Sequence, residues 1–245
     1  MKTSIKLVLL TVLILLGFMT AYNLELKALY FSKSHLDPYR NFTALDFKGF
    51  DAIDVVSSGV ANVKIIQGPF KVMVYTPHSK FLQVSQNGQR LKVFASYNTK
   101  EELVNRYYSD SRVIISCPNL KELNLNNNNL ADNEPRTGMK GDLRNSRENK
   151  LFGFSIDSLR LCVDEGSYFV MDSNRIGYLD AKVGMATNSS PLFYINETNK
   201  INAANLDIQN KTEFHFYSVI PGLKYSLSDS ADLHTNGAVS NAMRR

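Results

Sequence analysis

Three hydrophobic patterns divide the chain. Residues 7–22 (LVLLTVLILLGFMTAY) form an unbroken apolar run, which predicts a helix with no polar face to turn toward water. Its 16 residues would reach about 24 Å as a helix, short of a hydrocarbon core of roughly 30 Å. From Phe47 the pattern changes to short segments rich in β-branched and aromatic residues. Residues 50–56, 61–66, 71–75, 81–85, 90–94, 112–116 and 120–125 read as strands. Ser57-Ser58-Gly59, Gln67-Gly68-Pro69 and Thr76-Pro77-His78 read as turns between them, and Asn87-Gly88 as a hairpin turn. One helix is expected within this region, at 99–108, with Thr99 as N-cap and Glu101 and Glu102 in its first turn. Apolar residues thin out over 126–150 into an asparagine run and mixed charges, which predicts a mobile insertion.

The third pattern is a recurring phrase: Leu159-Arg160-Leu161-Cys162-Val163, Leu179-Asp180-Ala181-Lys182-Val183, Leu206-Asp207-Ile208-Gln209-Asn210 and Tyr225-Ser226-Leu227-Ser228-Asp229. Its spacings of 20, 27 and 19 residues suit stacked β-rungs, because each rung buries its inward side chains only when a neighbour covers it. Alternation would send Leu159, Leu179, Leu206 and Tyr225 inward in one column and Leu161, Ala181, Ile208 and Leu227 in the next. Arg160, Asp180, Asp207 and Ser226 would then form an outward column, beside Cys162, Lys182, Gln209 and Ser228. That register puts Asp180 next to Asp207, about 4.8 Å away, where like charges repel unless a cation compensates. The longest repeat would carry its surplus at 189–200, where Leu192, Phe193 and Tyr194 either form an adhesive tip or fold back on the core. The fold class expected is therefore all-β, a parallel β-helix-like stack of rungs preceded by one N-terminal hydrophobic helix.

Charge placement adds a direction. Lys2 and Lys6 precede the apolar run, the layout of a cytoplasmic n-region at 1–6 followed by a signal-anchor or signal-peptide helix at 7–22. Cleavage after Ala21 or Ala28 would place Met19 or Leu26 at the −3 position, where a small residue is wanted, so an uncleaved anchor is favoured. The lysines keep the short N-terminus cytoplasmic and send the remainder across. Residues 23–46 then read as a stalk, with Leu24, Leu26, Leu29 and Tyr30 able to lie along the membrane surface. The location expected is a bacterial inner membrane with an exported, periplasmic domain, or the envelope or exterior if the signal is removed.

Composition narrows the chemistry. With 44% hydrophobic and 21% charged residues the chain can bury a core. The net charge of +5 is spread thinly, and the nearest basic-aromatic cluster is Asn105-Arg106-Tyr107-Tyr108, so no nucleic-acid partner is expected. Cys117 and Cys162 are the two cysteines; export would permit one bridge between them or leave both thiols free. No metal and no cofactor is expected: His35, His78, His215 and His234 lie far apart with no paired spacing, and no nucleotide or nucleophile motif occurs. For glycan cleavage the candidate acid pairs are Asp164 with Glu165, and Asp229 with Asp232 near His234. Adjacent strand residues point oppositely and the second group sits at a turn, so both read as structural and no catalytic residue is assigned. Asn41, Asn188, Asn196 and Asn210 lie in Asn-x-Ser/Thr sequons, glycan candidates only in a eukaryotic exported protein.

Several phrases resemble the head GIN domain family, described as auto-transporter adhesins of the bacterial envelope. They are Phe50-Asp51-Ala52-Ile53-Asp54-Val55, Val63-Lys64-Ile65-Ile66-Gln67-Gly68, Leu82-Gln83-Val84 through Asn87-Gly88 to Leu91-Lys92-Val93, and 113–123 (VIISCPNLKEL). The closing 227–233 (LSDSADL) with Asn236-Gly237 is similar to the family's last phrase. Where members carry Ser-Gly-Ala turns, this chain has Asn126-Asn127-Asn128, Asp164-Glu165-Gly166 and Asn210-Lys211-Thr212; Asn tolerates the left-handed backbone that Gly would supply. The resemblance implies a GIN-like β domain over 47–240, no known catalytic residues and an adhesion role. The function expected is a non-enzymatic cell-envelope protein, an adhesion or ligand-binding module held at the membrane by its N-terminal helix and presented to a glycan or an envelope protein. The alternatives are an envelope-sensing or structural protein without adhesive ligand, and a glycan-cleaving enzyme.

Overall fold

A run of apolar residues with no polar face, followed by short alternating segments, gives one long helix and two sheets in the computed structural model, which describes residues 3–31, 37–95, 112–126 and 148–243. The helix expected at 99–108 and most of the insertion expected at 126–150 lie outside the described residues. Helix α1 (Thr3–Phe31) has 29 residues, about 44 Å at 1.5 Å per residue. It is long and apolar enough to cross a membrane. The hydroxyls of Thr11 and Thr20 donate to the carbonyls of Leu7 and Leu16 one turn back, so both are satisfied without water. The helix outlasts the apolar run and continues through Asn23 and Glu25 to Phe31, into the first residues of the expected stalk.

The second compact unit, Thr43–Arg245, holds the sheets. One is nine-stranded, in the order β1 (Phe42–Leu45), β4 (Lys71–Tyr75), β7 (Val113–Cys117), β3 (Val63–Gln67), β9 (Asn149–Phe152), β11 (Tyr168–Asp172), β13 (Leu192–Ile195), β15 (Glu213–Phe216), β17 (Asp232–Thr235). The other is eight-stranded, in the order β16 (Gly222–Leu227), β14 (Lys200–Ile208), β12 (Arg175–Val183), β10 (Ser155–Val163), β8 (Glu122–Leu125), β2 (Ala52–Val55), β6 (Arg90–Ala95), β5 (Leu82–Asn87). The expected turn at Ser57-Ser58-Gly59 leads into a short helix, α2 (Ser58–Ala61), and a last helix, α3 (Gly237–Met243), follows β17.

This corrects the expected parallel β-helix-like stack: the chain forms two mixed sheets. β4 runs antiparallel to β7, and β5 antiparallel to β6. For β5 and β6 the cause lies in connection length, since a two-residue loop can return a chain only antiparallel while parallel neighbours need a long crossover. Asn87 pairs with Arg90 across such a loop, with Gly88 at φ 58°, so the hairpin signal at Asn87-Gly88 was incompatible with an all-parallel arrangement.

Between the sheets lies one core, to which both contribute. Phe169, Phe193 and Phe214 stack along the inner face of the nine-stranded sheet with centroids 5.9 and 5.2 Å apart. Phe193 is thus a core residue of β13, which settles the 189–200 segment in favour of folding back. Cys117 is buried in this core while Cys162 sits half-buried on β10, and both thiols are free; desolvation pushes the Cys117 thiol up to about 12.

Buried asparagines join the turns. Asn174 accepts from the Phe154 N–H (3.0 Å) and donates to the Leu151 carbonyl (3.1 Å) and to Asn199 Oδ1 (2.9 Å). Asn199 also accepts from the Asn174 N–H and donates to the carbonyls of Met171 and Asn196. Asn149 acts likewise at the preceding layer, accepting from the Val63 N–H and donating to the carbonyls of Ser58 and Tyr168. Each therefore supplies partners to main-chain groups that water cannot reach.

Candidate functional site

The outward side chains of the eight-stranded sheet form registered columns. Arg90, Ala52, Glu122, Arg160, Asp180, Asn205 and Lys224 follow one another across β6, β2, β8, β10, β12, β14 and β16. Beside them run Lys92, Asp54, Asn124, Cys162, Lys182, Asp207 and Ser226. Neighbouring strands lie about 4.8 Å apart, so acid and base alternate at that interval along much of each column.

The expected columns agree with this from β10 to β12 and slip by two residues at β14. Asp180 meets Asn205, and Asp207 meets Lys182. A shift of two preserves which side chains face inward, so hydrophobic alternation could not choose between the registers. Electrostatics and the buried amides do: Asn205 Nδ2 donates to Asp180 Oδ1 at 3.1 Å, where the other register would oppose two carboxylates. The Asn174 to Asn199 bond fixes the same 25-residue step. Tyr225, expected inward, is 49% exposed, because β16 is the last strand of its sheet.

At the β6–β8 end the ladder is tightly hydrogen-bonded. Arg90 bridges Asp54 and Glu122, and Asn124 Nδ2 donates to both carboxylates, at 2.9 and 2.8 Å. The Asn124 amide and the Arg90 guanidinium hold the Glu122 carboxyl below the usual carboxylate range, although partial burial pushes the other way. Arg160 approaches Glu122 Oε2 at 3.4 Å and is mostly exposed. Together Arg90, Glu122, Arg160 and Asp180 line a groove of about 630 Å³ with Asp51, Lys121 and Tyr178. Tyr178 is 46% exposed, and its register neighbours are Ser158 on β10, Ala203 on β14 and then Gly222 on β16. These small residues leave the phenol ring standing as a platform.

None of the acid pairs considered for glycan cleavage lines this groove. Both oxygens of Asp164 accept from the Ala186 N–H, and Glu165 occupies a left-handed turn position at φ 50°. Asp232 and His234 lie on one face of β17, where their register partners are Glu213 and His215. Of the sequons, Asn210 spends its amide on the carbonyls of Gly184 and Ala186. Arg160 and Asp180 stood in the expected outward column, whereas Arg90, Glu122 and Tyr178 were not anticipated beside them because they come from strands scattered along the sequence; the available signal was the polar residues that alternate with apolar ones along each strand.

No family model matches the chain, and no curated protein matches it. Among solved structures, a "putative adhesin" of Bacteroides fragilis is similar over 80% of this chain and 96% of its own, at 10% identity and a TM-score of 0.48. A "putative adhesin" of Parabacteroides distasonis covers 79% of this chain and 71% of its own, at 12% identity and a TM-score of 0.46. A "putative lipid binding protein" of the same species covers 80% and 96%, at 11% identity and a TM-score of 0.32.

Proposed function

We propose that this chain is a non-enzymatic envelope protein that binds a glycan in the groove beside Tyr178, held at the bacterial inner membrane by α1 with its β domain exported. The resemblance to head GIN domain proteins seen in the sequence belongs to the same reading. The observation that carries it is the meeting of an open aromatic platform with fixed donors and acceptors. A sugar ring has an apolar C–H face that stacks on a phenol and a rim of hydroxyls that both donate and accept. Arg160 and Arg90 supply donors to such a rim, Asp180 and Glu122 supply acceptors, and Tyr178 supplies the face. The β6–β8 network fixes two of these groups before any ligand arrives, which lowers the entropy lost on binding.

The test is binding of the tag-free full-length protein, in detergent, to a glycan array, with Y178A and R160A measured beside it. A defined set of glycans retained by the native protein and weakened about tenfold or more, roughly 1.4 kcal/mol, by either substitution would support the reading. No retained glycan at saturating protein, or equal binding by all three proteins, would refute it.

A further inference from the structure

The outer face of the nine-stranded sheet carries a second cluster, at the end opposite β1. Register on β13, β15 and β17 aligns Tyr194, His215 and His234. Their rings stack, with centroids 4.0 Å apart for Tyr194 and His215 and 4.4 Å for the two histidines. Glu213, two residues before His215 and so on the same face, lies opposite Asp232. His215 is engaged at both nitrogens: Nδ1 is 3.0 Å from the Tyr217 hydroxyl and Nε2 is 2.9 Å from Glu213 Oε1. One donor atom from each of Glu213, His215 and His234 lies within 4.8 Å of the others.

Two imidazoles and a carboxylate are a borderline nitrogen and oxygen set, the kind that Zn(II) and its neighbours take. When the Tyr217 oxygen accepts from Nδ1–H, the Nε2 lone pair faces the carboxylate directly. Two lone-pair atoms 2.9 Å apart need a positive centre between them, a proton or a metal ion. A tetrahedral ion with bonds of about 2.1 Å spaces its donors about 3.4 Å apart, so His215 and Glu213 open by about half an ångström. His234 must leave the parallel stack to aim its lone pair, and it is free to do so because it is exposed on the last strand of the sheet. Asp232 is the register partner of Glu213 on the terminal strand.

We propose that Glu213, His215 and His234 bind one divalent transition-metal ion of the Zn(II) class, with Tyr217 as a positioning residue that fixes the His215 tautomer. The ion links β15 to β17, so it also clamps the sheet's terminal strand. The pair escaped sequence reading because its histidines lie 19 residues apart on neighbouring strands rather than at a local motif spacing.

Tag-free full-length protein in detergent is dialysed against Zn(II) and its bound metal counted, and Co(II) is then substituted to report coordination by absorption. The expected result is one ion per chain and a tetrahedral Co(II) spectrum. H234A and E213Q should each weaken Zn(II) binding at least tenfold, and Y217F by about tenfold through loss of the outer hydrogen bond. The variant H35A/H78A, which removes the other two histidines, should bind as the native protein does. Circular dichroism checks each fold, and should H234A lose it, the shape-conserving E213Q and Y217F decide. No stoichiometric ion, or binding that survives E213Q and H234A, would overturn the proposal.

Discussion

Asn174→Ala is the substitution whose effect follows most directly from the geometry. Asn174 has no exposed surface, so no solvent replaces what its side chain supplies. Truncation removes the acceptor for the Phe154 N–H and donors from the Leu151 carbonyl and Asn199 Oδ1. A buried polar group left unpaired costs about 1–3 kcal/mol, and Asn199 Oδ1 keeps its bond from the Asn174 main chain, so two groups carry most of the loss. The expected destabilisation is about 3–5 kcal/mol, a large fraction of the 5–15 kcal/mol typical of a folded domain. Asn205→Ala is the control, because its amide bonds Asp180 on an exposed face and should cost about 0.5 kcal/mol or less. Urea titration of the full-length protein, followed by near-ultraviolet circular dichroism, reads both. If N174A unfolds within about 1 kcal/mol of the native protein, or together with N205A, the buried amides do not tie the layers as argued.

Three further outcomes are expected. Gly184→Ala should destabilise by about 2 kcal/mol or more, since Gly184 has φ +73° and a β-carbon there would run into the Gln209 carbonyl and the Thr212 hydroxyl; the same urea titration measures it. The folded state holds the Glu122 carboxyl below its ordinary value of 4.5, so its contribution is complete above that pH and disappears as pH falls through the lower folded value. Unfolding midpoints measured on acidification should therefore fall less steeply below pH 4.5 in E122Q than in the native protein, and equal slopes would contradict this. The Cys117 thiol, buried and pushed up to about 12, should resist alkylation at pH 8 until urea unfolds the protein, as mass spectrometry of labelled peptides would show.

Much of the strand pattern was legible in the residues. Lys71 to Tyr75 and the Asn87-Gly88 hairpin fall where alternation and turn chemistry place them, and β10 and β12 pair as the recurring phrase requires. Long-range pairing was less legible. Stepping β14 by 27 or by 25 residues leaves Leu206 and Ile208 facing inward, and what selects 25 is the hydrogen bond from the Asn174 side-chain amide to Asn199 Oδ1, together with the pairing of Asp180 with Asn205. That bond depends on two turns meeting in space, which no local window contains. The antiparallel pair in the nine-stranded sheet had the same origin, because β4 finds its partner in β7, some 40 residues further on. The candidate sites were the least legible. Tyr178 becomes a platform only because Ser158, Ala203 and Gly222 are its neighbours in register, and His215 meets His234 only through β15 and β17.

The two outward columns of the eight-stranded sheet together hold five cations, Arg90, Arg160, Lys224, Lys92 and Lys182, against four anions, Glu122, Asp180, Asp54 and Asp207. Nine charges thus sum to a single positive one, and because opposite signs sit on neighbouring strands their fields cancel within a Debye length of about 8 Å. A partner approaching through solution experiences almost no pull from this face, so its association rate should change little with ionic strength. For the glycan proposed above, discrimination would then take place only after collision, through how long each candidate stays, and the charge pattern would suit ligands whose own polar groups repeat at the strand interval.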